Sequence, residues 1–334
     1  MRRAAALCLF LLTALPCSAQ VRVRLAYFPN ITHSQALIGV AREDFKRALG
    51  PGARLETVAF NAGPSEIEAL FAGQVDIGYI GPGPTINGWV QSKGRLLRVV
   101  AGAASGGASL VVRKDAGVGS WRDLSGKRVA SPQLGNTQDL SLRHFLAING
   151  LKPRQKGGTV EIVPVANPDI LTLFRRKDLA AAWVPEPWAT RLVQEGNGQV
   201  LFDERTLWPR RRFNTAHVIV SSRFLKEHPD LVKRFLAAHV SITLWMKAHS
   251  AEARELVNRE IQRLTGKLLP PAVLNPAYSR LDLTYDPLGG STNAFAAWAA
   301  DAGYVRGGRP DLRGLWDLTL LNQVLSERHL PEMR

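Results

Sequence analysis

The chain has 334 residues, with 43 Lys and Arg against 28 Asp and Glu and a formal net charge of +15. This length suffices for two domains of ordinary size. The basic residues are scattered apart from runs at 175–177 and 210–212, so they indicate a solvated cationic surface that attracts anions and not a nucleic-acid interface. Both cysteines, Cys8 and Cys17, precede residue 20, which excludes thiol chemistry from the rest of the chain.

Residues 1–19, MRRAAALCLFLLTALPCSA, combine two arginines, an apolar run and small residues at the end. This pattern predicts a signal peptide, with cleavage after Ala19 and export of a soluble chain. A lipid anchor on Cys17 is the alternative, and the preceding Pro16 makes it a poor lipidation motif. After this segment no apolar run is long enough to span a bilayer.

From Val21 onward, short β-branched runs alternate with segments of helical periodicity. Ten strands are predicted, at 22–28, 55–60, 75–80, 98–103, 109–113, 127–131, 160–165, 180–184, 199–202 and 216–220. Helices are predicted between most of them, for example at 33–49, 64–73 and 137–150. Strands that alternate with helices favour βαβ units, in which mainly parallel sheets are covered on both faces.

After residue 221 the pattern is almost purely helical. Five helices are predicted, at 229–249, 250–266, 271–281, 289–305 and 312–328. Their apolar stripes need a partner, and we expect them to pack on an α/β lobe. Since no repeat and no Gly/Ser linker is present, we expect strands that cross between the lobes.

Polar loops follow several predicted strands, at the carboxyl ends where parallel sheets bind ligands. These loops are FPNITHSQ (28–35), IGPGPT (80–85), GAASGGAS (102–109), PQLGNTQ (132–138) and PEPWA (185–189). In the fourth loop, Gly135 permits close approach, Asn136 precedes a helix, and Thr137 begins it, so N–H and O–H donors converge as in an anion site. Plain capping explains these residues equally well, with Asn136 accepting the N–H of Asp139 and the Asp139 carboxylate folding back on the N–H of Asn136.

Four other polar or aromatic residues have two interpretations each. His33 orients a ligand or bonds within its own loop. Trp183, at a strand end, is a candidate wall of a cleft, whereas Trp188 is expected in the core. Glu186 precedes Pro187, a natural first helical residue, and a cap or a structural salt bridge is favoured there over a ligand contact.

The common catalytic motifs are absent from the sequence. There is no phosphate-binding loop, dinucleotide fingerprint, zinc-protease motif or serine-hydrolase elbow. We therefore expect no enzyme activity, no cofactor and no metal site.

Five segments, taken in order, resemble a known family: LAYFPNITHSQALIG, FNAGPSEIEALFAGQVDIGYIGPGPTING, VASPQLGNTQDLSLRHFL, ANPDILTLFRR and AAWVPEPWATRLV. They are similar to the periplasmic substrate-binding proteins of ABC importers of the nitrate, sulfonate and taurine family. The resemblance implies an α/β type II periplasmic binding fold, in which two α/β lobes with mainly parallel sheets enclose a ligand cleft. It places lobe 1 at 20–109 and 217–334, including the C-terminal helices, and lobe 2 at 110–216.

The same resemblance implies which residues contact the ligand. Those of the first lobe are Asn30, Thr32, His33, Gly81, Pro82, Ser105 and Gly106. Those of the second lobe are Gly135, Asn136, Thr137 and Trp183, with Glu186 added for a ligand that carries an amine.

The function implied by the resemblance is capture of a small organic anion, an aliphatic sulfonate or taurine, in the periplasm. Hinge closure would then present it to a permease in the inner membrane, which works with a separate ATPase subunit, and the binding protein would be a monomer. A sulfonate suits a site of donors because it stays ionised and only accepts hydrogen bonds. Nitrate and a thiamine-pyrimidine precursor are the alternative ligands, and an enzyme on the same fold is the alternative class.

Overall fold

The computed structural model describes residues 20–334, so the predicted signal peptide and Cys17 lie outside the described residues. The strands are β1 (Val21–Tyr27), β2 (Ala53–Ala59), β3 (Ile77–Ile80), β4 (Leu97–Gly106), β5 (Ala108–Arg113), β6 (Arg128–Pro132), β7 (Glu161–Val165), β8 (Ala181–Pro185), β9 (Gly198–Asp203), β10 (Asn214–Ser221) and β11 (Leu281–Leu283). The helices are α1 (Ser34–Ala41), α2 (Asp44–Leu49), α3 (Gly63–Phe71), α4 (Pro82–Gln91), α5 (Thr137–Ile148), α6 (Asn167–Arg175), α7 (Trp188–Glu195), α8 (Ser222–Glu227), α9 (Pro229–Ala248), α10 (Ser250–Thr265), α11 (Pro271–Ser279), α12 (Gly289–Ala302) and α13 (Thr319–Glu327).

The strands form two sheets that share one design. The first has the order β11-β4-β10-β3-β1-β2 and the second β7-β6-β8-β5-β9. In each sheet the strand that enters from the other sheet, β10 or β5, runs antiparallel to both of its neighbours. Four of the six strands and four of the five therefore point the same way, as the predicted mainly parallel sheets require.

The chain changes sheets twice. It passes from β4 to β5 through Gly107 alone, and it returns through the segment 204–213 between β9 and β10. We refer to the part built on the six-stranded sheet as the first lobe and to the part built on the five-stranded sheet as the second lobe. The lobe boundaries at 109/110 and 216/217 stay a prediction, and the sheets change close to them, since β5 begins at Ala108 and β10 at Asn214.

The central strands of each sheet are covered on both faces, since β3 and β8 are buried throughout and β4, β5, β6 and β10 are buried at all but one residue each. Two hydrophobic clusters flank the first sheet and two flank the second. The C-terminal helices α9 and α10 pack on α1 in the first lobe, as their apolar stripes predict. No helix within residues 20–334 is long and apolar enough to cross a membrane.

Candidate functional site

Helices α4 and α5 begin against each other, one in each lobe. The Thr137 hydroxyl accepts the backbone N–H of Gly83 at 3.2 Å. A Cβ atom on Gly83 would lie 2.8 Å from the Thr137 nitrogen, and one on Gly81 would collide with the Thr137 hydroxyl. Glycine is therefore required at both positions for this approach, and two helix N-termini with their positive dipole ends converge there.

The loop before α5 differs in detail from the predicted capping. The side-chain oxygen of Asn136 accepts the N–H of Thr137 at 2.9 Å, one residue on, and not that of Asp139. Gly135 has a φ of +75°, which turns its own N–H onto the Asp139 carboxylate at 3.0 Å. The predicted bond from Asn136 N–H to Asp139 is wrong, because that N–H points to the Gln133 carbonyl at 3.4 Å.

Asp139 is fully engaged. Besides Gly135, its carboxylate accepts the Ser131 hydroxyl at 3.0 Å, the Arg143 guanidinium, and the hydroxyl of Tyr304. Tyr304 follows α12, a helix of the first lobe's tail that packs on α5. Asp139 therefore holds the loop and the α12 segment in place, and its charge is neutralised by Arg143.

The loop after β1 reaches the second lobe through Asn30. Its side-chain oxygen accepts the indole N–H of Trp188 at 3.0 Å. Trp188, predicted in the core, packs in the second lobe's hydrophobic cluster and also makes this contact between lobes. The sequence position of Trp188 could have predicted this contact. Trp188 is the first residue of a helix that begins beyond the carboxyl end of β8, where cleft residues gather.

His33 is buried in the same loop with a defined tautomer. Its Nδ1 accepts the N–H of Phe28 at 3.2 Å, so Nε2 carries the proton. Burial, and secondarily His217, lower the pKa of His33 to about 3. The imidazole is therefore neutral at physiological pH and offers a single N–H donor. Thr32, its neighbour, packs its methyl group close to Gly107.

A buried chain of hydrogen bonds fixes the start of α4. The Asn214 amide donates to His217 Nδ1 at 2.7 Å, His217 Nε2 bonds the Thr85 hydroxyl at 2.7 Å, and Thr85 donates to the Gly81 carbonyl at 2.9 Å. Burial lowers the pKa of His217 to about 3, which keeps this imidazole neutral as well. Sequence reasoning missed this chain, because its members are far apart along the sequence.

Ser105 and Gly106 lie at the first crossing between lobes. The predicted loop at 102–109 is wrong, since β4 continues to Gly106 by pairing with β10 and β11. The Ser105 hydroxyl accepts the N–H of Phe213 at 3.3 Å, and the Gly106 carbonyl accepts the hydroxyl of Thr215. Both Gly106 and Gly107 have φ near +77°, a conformation that favours glycine, so the crossing is a single sharp turn.

Glu186 forms an ion pair between the lobes. Its fully buried carboxylate lies 2.8 Å from the guanidinium of Arg280, which follows α11 in the first lobe's tail, and it also accepts the N–H and hydroxyl of Thr190. Burial raises the pKa of Glu186, and Arg280 and Thr190 act against that rise. The structure thus has the predicted salt bridge and cap at this residue, whereas Pro187 precedes α7, whose first residue is Trp188.

Trp183 lies in the core of the second lobe. Its indole stacks with Phe145 at 5.3 Å and with Trp121 at 5.8 Å, and its N–H donates to Glu204 at 2.6 Å. Through Glu204 and the Ser141 hydroxyl, which also lies 3.3 Å from the Thr137 carbonyl oxygen, Trp183 is joined to the first turn of α5. Burial raises the pKa of Glu204 to about 7, although Ser141 and two tryptophans donate to it.

This pKa predicts a pH-dependent stability. The folded protein keeps the proton of Glu204 up to about pH 7, whereas the unfolded chain loses it near 4.5, so the stability it contributes is complete below pH 4.5 and is lost as pH rises through 7. The variant Glu204→Gln should remove this dependence. We expect the free energy of unfolding, measured with urea, to fall between about pH 5 and pH 8 by roughly 2 kcal/mol more in the unaltered protein than in the variant. Parallel losses in both proteins would contradict the assignment.

Eleven of the twelve predicted site residues fall into four groups. Gly81, Pro82, Gly135, Asn136 and Thr137 meet where α4 and α5 begin. Asn30, Thr32 and His33 follow β1, Ser105 and Gly106 form the crossing, and Glu186 faces Arg280. Trp183 lies in the core of the second lobe. The hydrogen bonds and the ion pair described above join these groups to five residues that were not predicted as site residues: Gly83, Thr85, Trp188, His217 and Arg280. Residues 20–334 contain no group of three or more His, Cys, Asp or Glu side chains placed to hold a metal ion.

Comparison with known families agrees with this architecture. Residues 18–261 match the model of the NMT1-like family. The chain belongs to the NMT1-like family. The taurine-binding periplasmic protein of Escherichia coli K12 is 32% identical over 196 residues, which is 59% of this chain and 58% of that protein. Alignments with its curated relatives span only 55% to 65% of the lengths of those relatives.

Solved structures show the same fold as this NMT1-like protein. The alkanesulfonate-binding protein SsuA from Xanthomonas axonopodis pv. citri, bound to MOPS, has a TM-score of 0.71 at 20% identity, over 92% of this chain and 99% of that chain. The periplasmic nitrate-binding protein NrtA from Synechocystis PCC 6803 has a TM-score of 0.78 at 13% identity, over 93% of this chain and 90% of that chain. The predicted family resemblance and the two-lobed α/β fold are therefore confirmed.

Proposed function

We propose that this NMT1-like protein is the substrate-binding component of an ABC importer and captures a small organic anion, an aliphatic sulfonate, between its lobes. The observation that carries the proposal is the convergence of the α4 and α5 N-termini, with the Thr137 hydroxyl and the Gly83 N–H at their meeting point. Two helix dipoles and neutral donors stabilise an anion without a counter-charge. The names of the taurine-binding relative and of the sulfonate- and nitrate-binding structures support this class of ligand.

The state of the polar groups favours a sulfonate over phosphate. Phosphate carries a proton near neutral pH and needs an acceptor for it, whereas a sulfonate only accepts. Asp139 already accepts from four donors, and the Nδ1 atom of His33 is occupied by a backbone N–H. Among the other groups at the proposed site, the Thr137 hydroxyl and the Nε2–H of His33 can donate to an anion.

The pairing of Glu186 bears on the choice between taurine and a simple alkanesulfonate. Taurine adds an ammonium group, for which Glu186 was the candidate partner. Because Arg280 lies 2.8 Å from that carboxylate, an ammonium would compete with a guanidinium that is already in place. We therefore favour an alkanesulfonate without an amine.

In the proposed mechanism the anion bridges the lobes and stabilises their closed arrangement, which the permease then recognises. The chain acts by binding, and residues 20–334 contain no cysteine that could supply thiol chemistry. A separate subunit hydrolyses ATP. The monomer works in the periplasm, after removal of residues 1–19.

Calorimetric titration of refolded, ligand-free protein tests the ligand class. We expect methanesulfonate or a longer alkanesulfonate to bind more tightly than taurine, nitrate or phosphate. Tightest binding of phosphate would mean that a carboxylate or His33 accepts its proton, against the donor-only site. Binding of a heteroaromatic base alone would favour the pyrimidine-precursor alternative, and turnover of any of these compounds would favour an enzyme.

The variant Thr137→Val tests the proposed contact directly. It keeps the side-chain volume but removes a hydroxyl, and a bond of this kind to a charged group is worth roughly 1.5 to 3 kcal/mol. We expect alkanesulfonate affinity to fall about ten- to a hundredfold, with little change in the melting temperature of the unliganded protein. The exposed Thr172→Val in α6 is the matched control. Equal alkanesulfonate affinity of the two variants would mean that the anion binds at another position.

Export is tested by the mature N-terminus. We expect protein recovered from the periplasm to begin at Gln20, because small residues, Ser18 and Ala19, end the predicted signal peptide. N-terminal sequencing and mass spectrometry measure this. A lipid on Cys17 would contradict soluble export.

A further inference from the structure

A groove lies beside the second crossing between the lobes. Its volume of about 580 Å³ lies in the size range of small-molecule sites, and it is lined by the crossing segment at 207–212 and by the start of α12. None of the twelve predicted ligand residues lines it. We call it the crossing groove.

Two tryptophans give the crossing groove aromatic walls. Trp208 and Trp298 both line it, with ring centroids 4.8 Å apart and planes tilted by 42°. Each indole is held by another ring, since Trp208 stacks on Phe213 at 5.3 Å and Trp298 on His144 at 4.0 Å. Preoriented indoles of this kind suit a flat, apolar group.

Cations dominate the charge of the crossing groove. Arg210 and Arg212 line it, and Asp286 is the only acidic side chain among the described residues that do. Arg212 pairs with Asp286 at 3.3 Å, while Arg210 has no acidic partner within 4.0 Å among residues 20–334. One guanidinium is therefore available for an anion, and a second is shared with a partly exposed carboxylate.

We propose that the crossing groove is a second binding site, for a flat aromatic anion such as an arenesulfonate or an aromatic carboxylate. The ring of this ligand packs against the two indoles, and its acidic group meets Arg210 and Arg212. The arginine run at 210–212 thus has a specific role in addition to solvation. This site is independent of the anion proposed for the cleft.

Titration of the full chain with 2-naphthalenesulfonate tests the site. We expect the double variant Arg210→Ser/Arg212→Ser to bind it about ten- to a hundredfold more weakly than the unaltered protein. The matched control, Arg175→Ser/Arg176→Ser, removes the same charge from the exposed run of the second lobe and should leave the affinity unchanged. Equal losses in both double variants would reduce the effect to general attraction of anions and overturn the proposal, as would the absence of binding by the unaltered protein.

A second pair of variants separates the crossing groove from the cleft. Gly290 lines the groove, and a Cβ atom there meets no other atom within 4 Å, so Gly290→Leu should fold and obstruct the groove. We expect Gly290→Leu to lose 2-naphthalenesulfonate binding and Thr137→Val to retain it. The reverse result would place the aromatic anion in the cleft and overturn the second site.

Discussion

The variant Gly83→Ala should abolish high-affinity ligand binding while each lobe stays folded. The added Cβ would lie 2.8 Å from the backbone nitrogen of Thr137 and 3.0 Å from the carbonyl carbon of Asn136, which belong to the other lobe. Backbone atoms do not move aside as a flexible side chain does, so the lobes must separate by some tenths of an ångström at the proposed anion site. We expect the affinity to fall by more than about a hundredfold in calorimetric titration.

The matched control for this variant is Gly52→Ala. A Cβ at Gly52 meets nothing within 4 Å, and the residue is not in the left-handed conformation. Its ligand affinity and melting temperature should stay unchanged. Unchanged affinity in Gly83→Ala would mean that the lobes do not close on the ligand at α4 and α5.

The strands were predictable from the sequence because each carries its own signal. All ten predicted strands are present, since buried β-branched runs bounded by polar loops need no distant partner to be recognised. The missed strand, β11, has three residues within the helical tail, and it exists only because it pairs with the edge of β4. Its formation depends on contacts almost two hundred residues apart in the chain, as between Gly106 and Leu281.

Helix boundaries were less predictable where tertiary contacts interrupt them. The helix predicted at 33–49 is divided into α1 and α2 by Glu43, whose φ is +57°, and the Phe45 ring then packs where a Cβ on Gly39 would be. The helix predicted at 312–328 begins only at Thr319, because the backbone before it bonds to Val99 in β4. The predicted loop at 80–85 is instead the start of α4, since Pro82 is tolerated at a first helical position.

The candidate site was predictable only in the parts that each loop supplies by itself. The Gly135 to Thr137 sequence and the loop after β1 carry local hydrogen-bonding signals, so their residues could be proposed from the sequence. The partners across the lobes, Gly83 and Arg280, carry none, because their roles arise from the approach of two distant segments. The contact of Arg280 in particular depends on where helix α11 of the tail packs, and the pattern of strands in the sequence does not predict that position.

The variant Arg280→Met should weaken ligand binding by about a hundredfold or more. In the structure α11 contacts α7, and the Arg280 guanidinium lies 2.8 Å from the fully buried Glu186 carboxylate and 2.7 Å from the Thr190 hydroxyl. Removal of one partner of a buried ion pair costs about 3 to 5 kcal/mol, because the other charge remains buried without compensation. That cost falls on the closed arrangement, in which the two lobes bring these residues together. The exposed Arg259→Met, paired weakly at 3.9 Å on α10, is the control.

The pH dependence of Arg280→Met distinguishes lost charge compensation from lost packing. Burial already raises the pKa of Glu186, and without Arg280 that rise is opposed only by Thr190. Closure then takes up a proton, so the affinity of the variant should recover as pH falls from about 8 to 5 and be lost as pH rises. The double variant Arg280→Met/Glu186→Gln has no carboxylate to compensate, and we expect it to bind more tightly than Arg280→Met at pH 8 and independently of pH in this range. If the double variant binds as weakly as Arg280→Met at every pH, the contribution of Arg280 is packing of its side chain and not its charge.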